Sequence, residues 1–459
     1  MAEPRHIDRL TAQDLFTLWT DDFGWSQDIG ALAILDGTRL LDGDGRVRIE
    51  DVRRRLAPRL HLVPRFRQLL YRPRRGLGWP LWVDAPAFNL ADHVRVQPLA
   101  PPGDEAQLLQ ACARLYQRRL DLTRPLWQLW VLPGLPDQQV GVFLRAHHTL
   151  ADGVAGVAAF GALLDLGADA PTPVAPPWTP APIPSAGELL GDNLRRRRQE
   201  LGHGLSRLAH ASRPRHASQG ALREFFAEQA PRTSLNRPIG KDRRLAVVRG
   251  RLEVAKQVAH AHHAKVNDVV LAAVAGGLRQ LLAGRGEDID RLVLRATVPI
   301  SLHREQPGQA RGNQIAFMMV PLPLGESNAV RRLELIAAET AARKQRARPQ
   351  SASGILGLPV VQRASYRFQP HQRFMNLGVT NVPGPPVPLY LAGARLLELF
   401  PLVPILGNLT LTVGVLSYAG QLNLTAMADQ ATCPDVEVFA QGMRSALEEL
   451  ARSVLVSAS

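Results

Sequence analysis

The chain has 459 residues, long enough for more than one core, with 46% apolar and 21% charged residues, values that exclude large-scale disorder. Two cysteines, Cys112 and Cys433, exclude a multi-bridge framework, and the absence of a C-x-x-C pair excludes the commonest zinc and redox motifs. The formal charge of +14 suits an anionic lipid surface or a phosphorylated substrate. Because 51 of the 55 basic residues are arginines in an Ala-, Leu-, Gly- and Pro-rich chain, coding bias explains it equally well. With 5% aromatics and no recognised binding module, nucleic acid is not an expected partner.

In chain order, the N-terminus has no apolar core of a secretory signal. The apolar run at residues 31–35 reads as a strand, and the DFGWSQ string at residues 22–27 carries no functional reading. Leu108, Cys112, Leu115 and Tyr116 recur at helical spacing after Asp104 and Glu105, so Cys112 reads as a packed thiol and not a nucleophile. Residues 171–185, PTPVAPPWTPAPIPS, hold too many prolines for helix or central strand. They divide the chain into a first lobe over 1–170, a linker over 171–188 and a second lobe over 189–459. Just beyond, Leu190, Leu194, Leu201, Leu205 and Leu208 share one helical face, with Arg195, Arg196 and Arg198 elsewhere and Arg197 inside the stripe. Such a helix either lies in a membrane interface or packs on its own domain.

The second lobe mixes elements. Helices are expected over 268–282 and 330–346, and strands near 292–298, 315–322, 409–415 and 421–426. His260, His262 and His263 form a polar cluster expected on the surface. The longest uncharged run, from Leu399, is broken by Pro401, Pro404 and Gly407 and then alternates as a strand, so it does not read as a membrane span. The fold class is therefore mixed α/β in two lobes.

The segment QVGVFLRAHHTLADGVAGVAAFGALL (residues 139–164) carries the chemistry. Val140, Val142, Leu144 and Ala146 alternate with Gly141, Phe143, Arg145 and His147, the period of a strand, and an apolar helix begins near Val154. His147 and His148 then project to opposite faces, with His148 continuing the apolar one. A neutral imidazole within reach of an alcohol can act as general base. Asp152 can fix the turn, and Gly153 permits close backbone approach. Adjacent strand histidines diverge, which disfavours a metal site built from His147, His148 and Asp152. The nucleophile elbow, the P-loop and the dinucleotide fingerprint are absent. On spacing alone a structural histidine pair remains open.

HHTLADG matches H-H-x-x-x-D-G of the coenzyme A-dependent acyltransferases, and further segments resemble the bacterial wax ester synthase/diacylglycerol acyltransferases. RPLWQLWVLPGL (124–135), VNDVVLAAVAGGLR (266–279), RATVPISLHRE (295–305), GNQIAFMMVPLP (312–323), TNVPGP (380–385) and LTVGVLSYAGQLNLTAMAD (411–429) follow that family's order. The chain departs from it at LTAQD, which keeps Asp14 but lacks a Ser-Pro pair, and at His303, where an arginine is usual and Arg304 stands one place later.

The resemblance implies two lobes of chloramphenicol-acetyltransferase type with a tunnel between them. It implies His148 as base, His147 as its support, Asp152 and Gly153 as architecture, and Asn267 and Asp268 near the site, although asparagine equally suits a helix N-cap and aspartate a first helical turn. It implies acyl-CoA as donor substrate, diacylglycerol or a long-chain alcohol as acceptor, and no cofactor or metal. The expected setting is cytoplasmic, peripheral on the inner face of the cell membrane or on lipid droplets. Two alternatives stay open: acyl transfer from a carrier protein, and a droplet-binding protein with weak catalysis.

Overall fold

The computed structural model describes residues 6–150, 153–209, 229–301, 315–346 and 363–456. Two six-stranded sheets form the frame. The first runs in the order β11 (Tyr390–Leu391), β12 (Ala394–Leu402), β1 (Asp28–Asp36), β6 (Gln139–His147), β5 (Trp127–Pro133), β4 (Val94–Val96). The second runs β7 (Arg243–Arg251), β14 (Gln421–Asp429), β13 (Leu411–Tyr418), β10 (Leu377–Pro383), β8 (Val293–Ser301), β9 (Ile315–Pro323). A short hairpin of β2 (Gln68–Tyr71) and β3 (Leu81–Asp84) stands apart.

Alternation along the strands sorts side chains into layers. On β6, Val140, Val142, Leu144 and Ala146 face a core shared with Leu15 and Leu18 of helix α1 (Ala12–Asp22), Val52 and Leu56 of α2 (Ile49–Leu56) and Phe160 of α4 (Gly153–Ala162). Phe143 faces the opposite layer, with Leu108, Cys112 and Tyr116 of α3 (Glu105–Gln117). Cys112 is thus a packed thiol, its pKa pushed up by burial. In the second lobe, Leu422, Leu424, Ala426 and Ala428 face a core built with α6 (Leu252–Ala261), α7 (Val266–Gly284), α8 (Ala329–Arg346) and α9 (Val436–Val456). Helix α7 is long and apolar enough to cross a bilayer, yet its residues from Val269 to Ala275 are buried in this core. His260 and His263 are exposed, and His262 Nε2 lies 3.0 Å from Ser453 Oγ.

The spatial division differs from the expected division along the chain. Helix α5 (Ala186–Ala209) starts inside the expected linker of 171–188, where Ser185 and Glu188 form a capping box. It packs on the first lobe, placing Leu189 beside Ile7, Leu81 and Val83 and pairing Asp192 with Arg9 at 2.5 Å. The proline-rich stretch is tied there too, through Ala181 N–H to Asp84 and Arg67 over Trp178. Residues 390–402 also leave the second half to become β11 and β12 of the first sheet.

That crossing joins the lobes. One side of β12 pairs with β1, while β11 covers only its first residues. The carbonyls left open need partners. Half-buried Gln421 and buried Asn423, polar side chains among apolar neighbours on β14, donate to Leu397 O and Leu399 O at 2.9 and 3.0 Å. Thr412 of β13 donates to Val403 O, and the Tyr418 hydroxyl to Leu396 O. Beneath the crossing, a Cβ at Gly414 would lie 2.9 Å from Val403 Cγ2 and 3.1 Å from Pro401 O. Gly414→Val should therefore force the sheets apart and cost about 1–3 kcal/mol by chemical denaturation. Unchanged stability would remove this contact as a determinant of how the lobes dock.

Candidate active site

Strand β6 is buried on both faces and ends at His147. Its end is pinned from both sides: His147 N–H donates to Leu126 O and His148 N–H to Gln27 O, each at 2.9 Å. Leu150 N–H then turns back to His147 O. Two adjacent histidines are thereby held in different settings. His147 is buried, 1% exposed, whereas His148 begins the turn and is half-buried.

His147 is hydrogen-bonded at one ring nitrogen and faces a carboxylate at the other. Nδ1 lies 2.8 Å from Thr149 Oγ1 and accepts from Thr149 N–H at 3.3 Å. A backbone N–H can only donate, so this contact leaves the ring proton of neutral His147 on Nε2. Nε2 faces Asp21 Oδ2 at 3.2 Å, an ion-pair distance without hydrogen-bond alignment. Asp21 comes from the last turn of α1, so the N-terminal helix orients the second layer of the site.

Further in is a charged cluster. Asp28, opposite His147 in the β1–β6 register, is fully buried, and neither carboxylate oxygen meets hydrogen-bond geometry among the described residues. Burial raises its pKa, opposed by Arg145 and His147. Arg145 Nη1 lies 3.6 Å from Asp28 and also donates to Tyr116 O, while Nε and Nη2 grip Gln128 Oε1. Desolvation lowers the Arg145 pKa, but a guanidinium remains charged at neutral pH. Arg145 therefore keeps its own positive charge beside Asp28.

The opposite wall belongs to the second lobe. Helix α4, which starts at Gly153, approaches β10 across the seam, and a Cβ on Gly156 would lie 2.8 Å from Ile29 Cδ1. Leu377 and Val379 of β10 point into the second core, leaving Gly378 and Thr380 on its other face. The TNVPGP segment lies here.

The structure thus joins His147, His148 and Gly153 at one end of β6. Asp152, His303 and Arg304 lie outside the described residues. Asp268 is buried but is a cap: its carboxylate accepts from Lys265 N–H and from Thr340 Oγ1, both in the second lobe. Asn267 is half-buried in the same first turn of α7. Among the described residues no hydrogen bond joins either to the histidine pair. Sequence reasoning passed over Asp21, Asp28, Thr149 and Gln27. The available signal was DFGWSQ, which lies against the motif and supplies the Gln27 carbonyl.

The fold is that of two-lobed acyl-transfer and condensation proteins. The chain aligns over 97% of its length with 99% of the wax ester synthase/diacylglycerol acyltransferase from Marinobacter aquaeolei VT8, at TM-score 0.69 and 23% identity. It aligns over 98% with 97% of the first condensation domain of the calcium-dependent antibiotic synthetase, at TM-score 0.61 and 16% identity.

The family follows from sequence. The wax ester synthase/diacylglycerol acyltransferase catalytic domain matches residues 10–270, and the WS/DGAT C-terminal domain matches 311–451. "Probable diacyglycerol O-acyltransferase tgs1" of Mycobacterium tuberculosis is 31% identical over 444 residues, 92% of this chain and 90% of that protein. The chain belongs to the wax ester synthase/diacylglycerol acyltransferase family and is an acyltransferase.

Asp21→Asn tests the orientation of His147. With the negative charge gone and the shape kept, kcat should fall about tenfold, within the range of a mispositioned acid–base group, with KM little changed. A kcat equal to wild type would make Asp21 a bystander.

Proposed function

We propose that this acyltransferase moves a long-chain fatty acyl group from acyl-CoA to diacylglycerol, giving triacylglycerol, or to a long-chain alcohol, giving a wax ester. The observation that carries the reading is His148: a half-buried imidazole one residue past an immobilised strand end. A lipid hydroxyl ionises far above neutral pH, so it needs a base as it attacks. His148 takes that proton, and the alkoxide oxygen bonds to the thioester carbon. The tetrahedral intermediate expels the coenzyme A thiolate, to which His148 returns the proton. Because the thioester is already activated, this step draws on no metal or redox group.

The seam between α4 and β10 is the proposed channel, with donor and acceptor entering from opposite mouths. Diacylglycerol is favoured as acceptor by the name of the mycobacterial relative, a probable diacylglycerol O-acyltransferase. We further propose a cytoplasmic location with peripheral contact to an anionic membrane or droplet surface. In support, Leu190 and Leu194 of α5 are 46% and 48% exposed, beside the exposed Arg198, in a chain of charge +14.

His148→Ala should lower kcat by roughly 10²- to 10⁴-fold with the circular dichroism spectrum unchanged. In the wild type, kcat/KM should rise with pH as the imidazolium loses its proton, and the residual rate of the variant should lose that dependence. Full turnover by the variant would remove His148 as base. Radiolabelled palmitoyl-CoA offered to diacylglycerol, monoacylglycerol, hexadecanol and water should label triacylglycerol most strongly. Labelling only from an acyl carrier protein donor would overturn the donor assignment.

A further inference from the structure

Two cavities adjoin at Gly78 and Trp79, and His148 lines neither. The first, about 340 Å³, is walled by Arg9, Asn193, Arg196 and Arg197. The second, about 360 Å³, has Leu15, Leu18 and Trp19 of α1 along it, with Arg72 and the Asp22–Arg363 pair at its edge. Each has the size of a small-molecule site.

Their shared wall is built, not incidental. Arg9 is buried and fully engaged, donating to Asp192, Trp79 O and Leu189 O. Asn193 Nδ2 donates to Gly76 O at 2.8 Å. Gly78 has φ of 93°, and a Cβ there would lie 2.6 Å from Arg9 Nη1, so the loop follows the guanidinium closely.

The charges on the two sides differ in kind. Arg9 is matched by Asp192, and Arg363 by Asp22. Arg196, Arg197 and Arg72 have no acidic partner among the described residues. Unmatched guanidinium groups at a cavity wall favour a carboxylate or phosphate, which they can grip through paired N–H groups. Past the Trp79 indole the wall becomes aliphatic and aromatic, which favours an alkyl chain. A free anion would leave this apolar surface uncovered, and a neutral lipid would leave the arginines unmatched.

We propose that the two cavities form one site for an anionic, single-chain amphiphile. Its carboxylate or phosphate head lies at Arg196 and Arg197, and its alkyl chain passes Trp79 to rest on Leu15, Leu18 and Trp19. The occupant bears on α1, the helix that presents Asp21 to His147. The site does not depend on which lipid hydroxyl accepts the acyl group.

The test titrates the full chain with monomeric stearate carrying bromine at mid-chain and reads tryptophan quenching. Quenching should saturate, and its amplitude should fall in Trp79→Phe and in Trp19→Phe. Affinity should drop about tenfold or more in the Arg196→Glu/Arg197→Glu variant, the loss expected when charge-assisted hydrogen bonds are removed. Brominated octadecanol should bind at least about tenfold more weakly, for the same reason. Inorganic phosphate at the probe's concentration should not displace it. The proposal is overturned if both tryptophan variants keep the full quenching amplitude, if the charge reversal leaves affinity unchanged, or if the alcohol binds as well as the acid. It is likewise overturned if phosphate displaces the probe, or if the protein binds phosphatidylglycerol vesicles but no monomeric stearate.

Discussion

The site depends on the way strand β6 stops. It is a central strand with neighbours on both sides, and its last residues hydrogen-bond outward to Leu126 O and Gln27 O. Those two bonds fix the backbone of adjacent histidines just as the pleat ends. One imidazole is therefore buried, bonded at Nδ1 and facing Asp21 at Nε2, while the next enters the turn with its ring half-buried. A general base has to be placed within hydrogen-bond reach of its proton, and a loop histidine without this anchoring would sample many positions. Charge supports geometry here: Arg145 and Asp21 lie on either side of the buried pair of Asp28 and His147, in a space where burial disfavours unbalanced charge.

A second constraint is that helix α4, just after the histidine turn, contacts β10 of the second lobe, which ties the site's surroundings to how the lobes dock. The chain sets that docking by sending β12 from its second half into its first sheet. A strand in that position leaves carbonyls unpaired on one side, and the second sheet answers with Gln421, Asn423, Thr412 and Tyr418. Buried amides and hydroxyls without partners are costly, so these bonds favour one docking over slipped alternatives. Arg249 of β7 adds ion pairs to Glu398 of β12 and Glu105 of α3.

Local deviations from the family pattern become intelligible once the backbone is seen. LTAQD lacks the Ser-Pro pair, but Thr11 is the N-cap of α1: its hydroxyl accepts from Asp14 N–H, and Asp14 accepts from Thr11 N–H. The capping box survives because threonine replaces serine as the acceptor, and Pro at the following position is replaceable by Ala in a first helical turn. The departure concerns how α1 begins, and α1 carries Asp21 at its other end. DFGWSQ has a corresponding role, through the bond of Gln27 O to the histidine turn.

Periodicity in the sequence was sufficient for strand β6, for helices α3, α7 and α8, and for the strands from residue 409 onward, because the alternation of apolar residues is itself the cause of those elements. The histidine pair at the end of β6 was equally readable, but the strand stops at His147, so burial of one ring and half-burial of the next come from the turn. Three things required the tertiary structure. Asp21 meets His147 across more than a hundred residues, and no local spacing encodes that contact. Residues 186–209 and 390–402 join the first lobe, because hydrophobic burial and open backbone carbonyls, not chain order, choose their partners. Asp268 was readable both as a residue near the site by resemblance and as a first-turn residue of a helix; its bond to Thr340, 72 residues away, is what only the tertiary structure supplies.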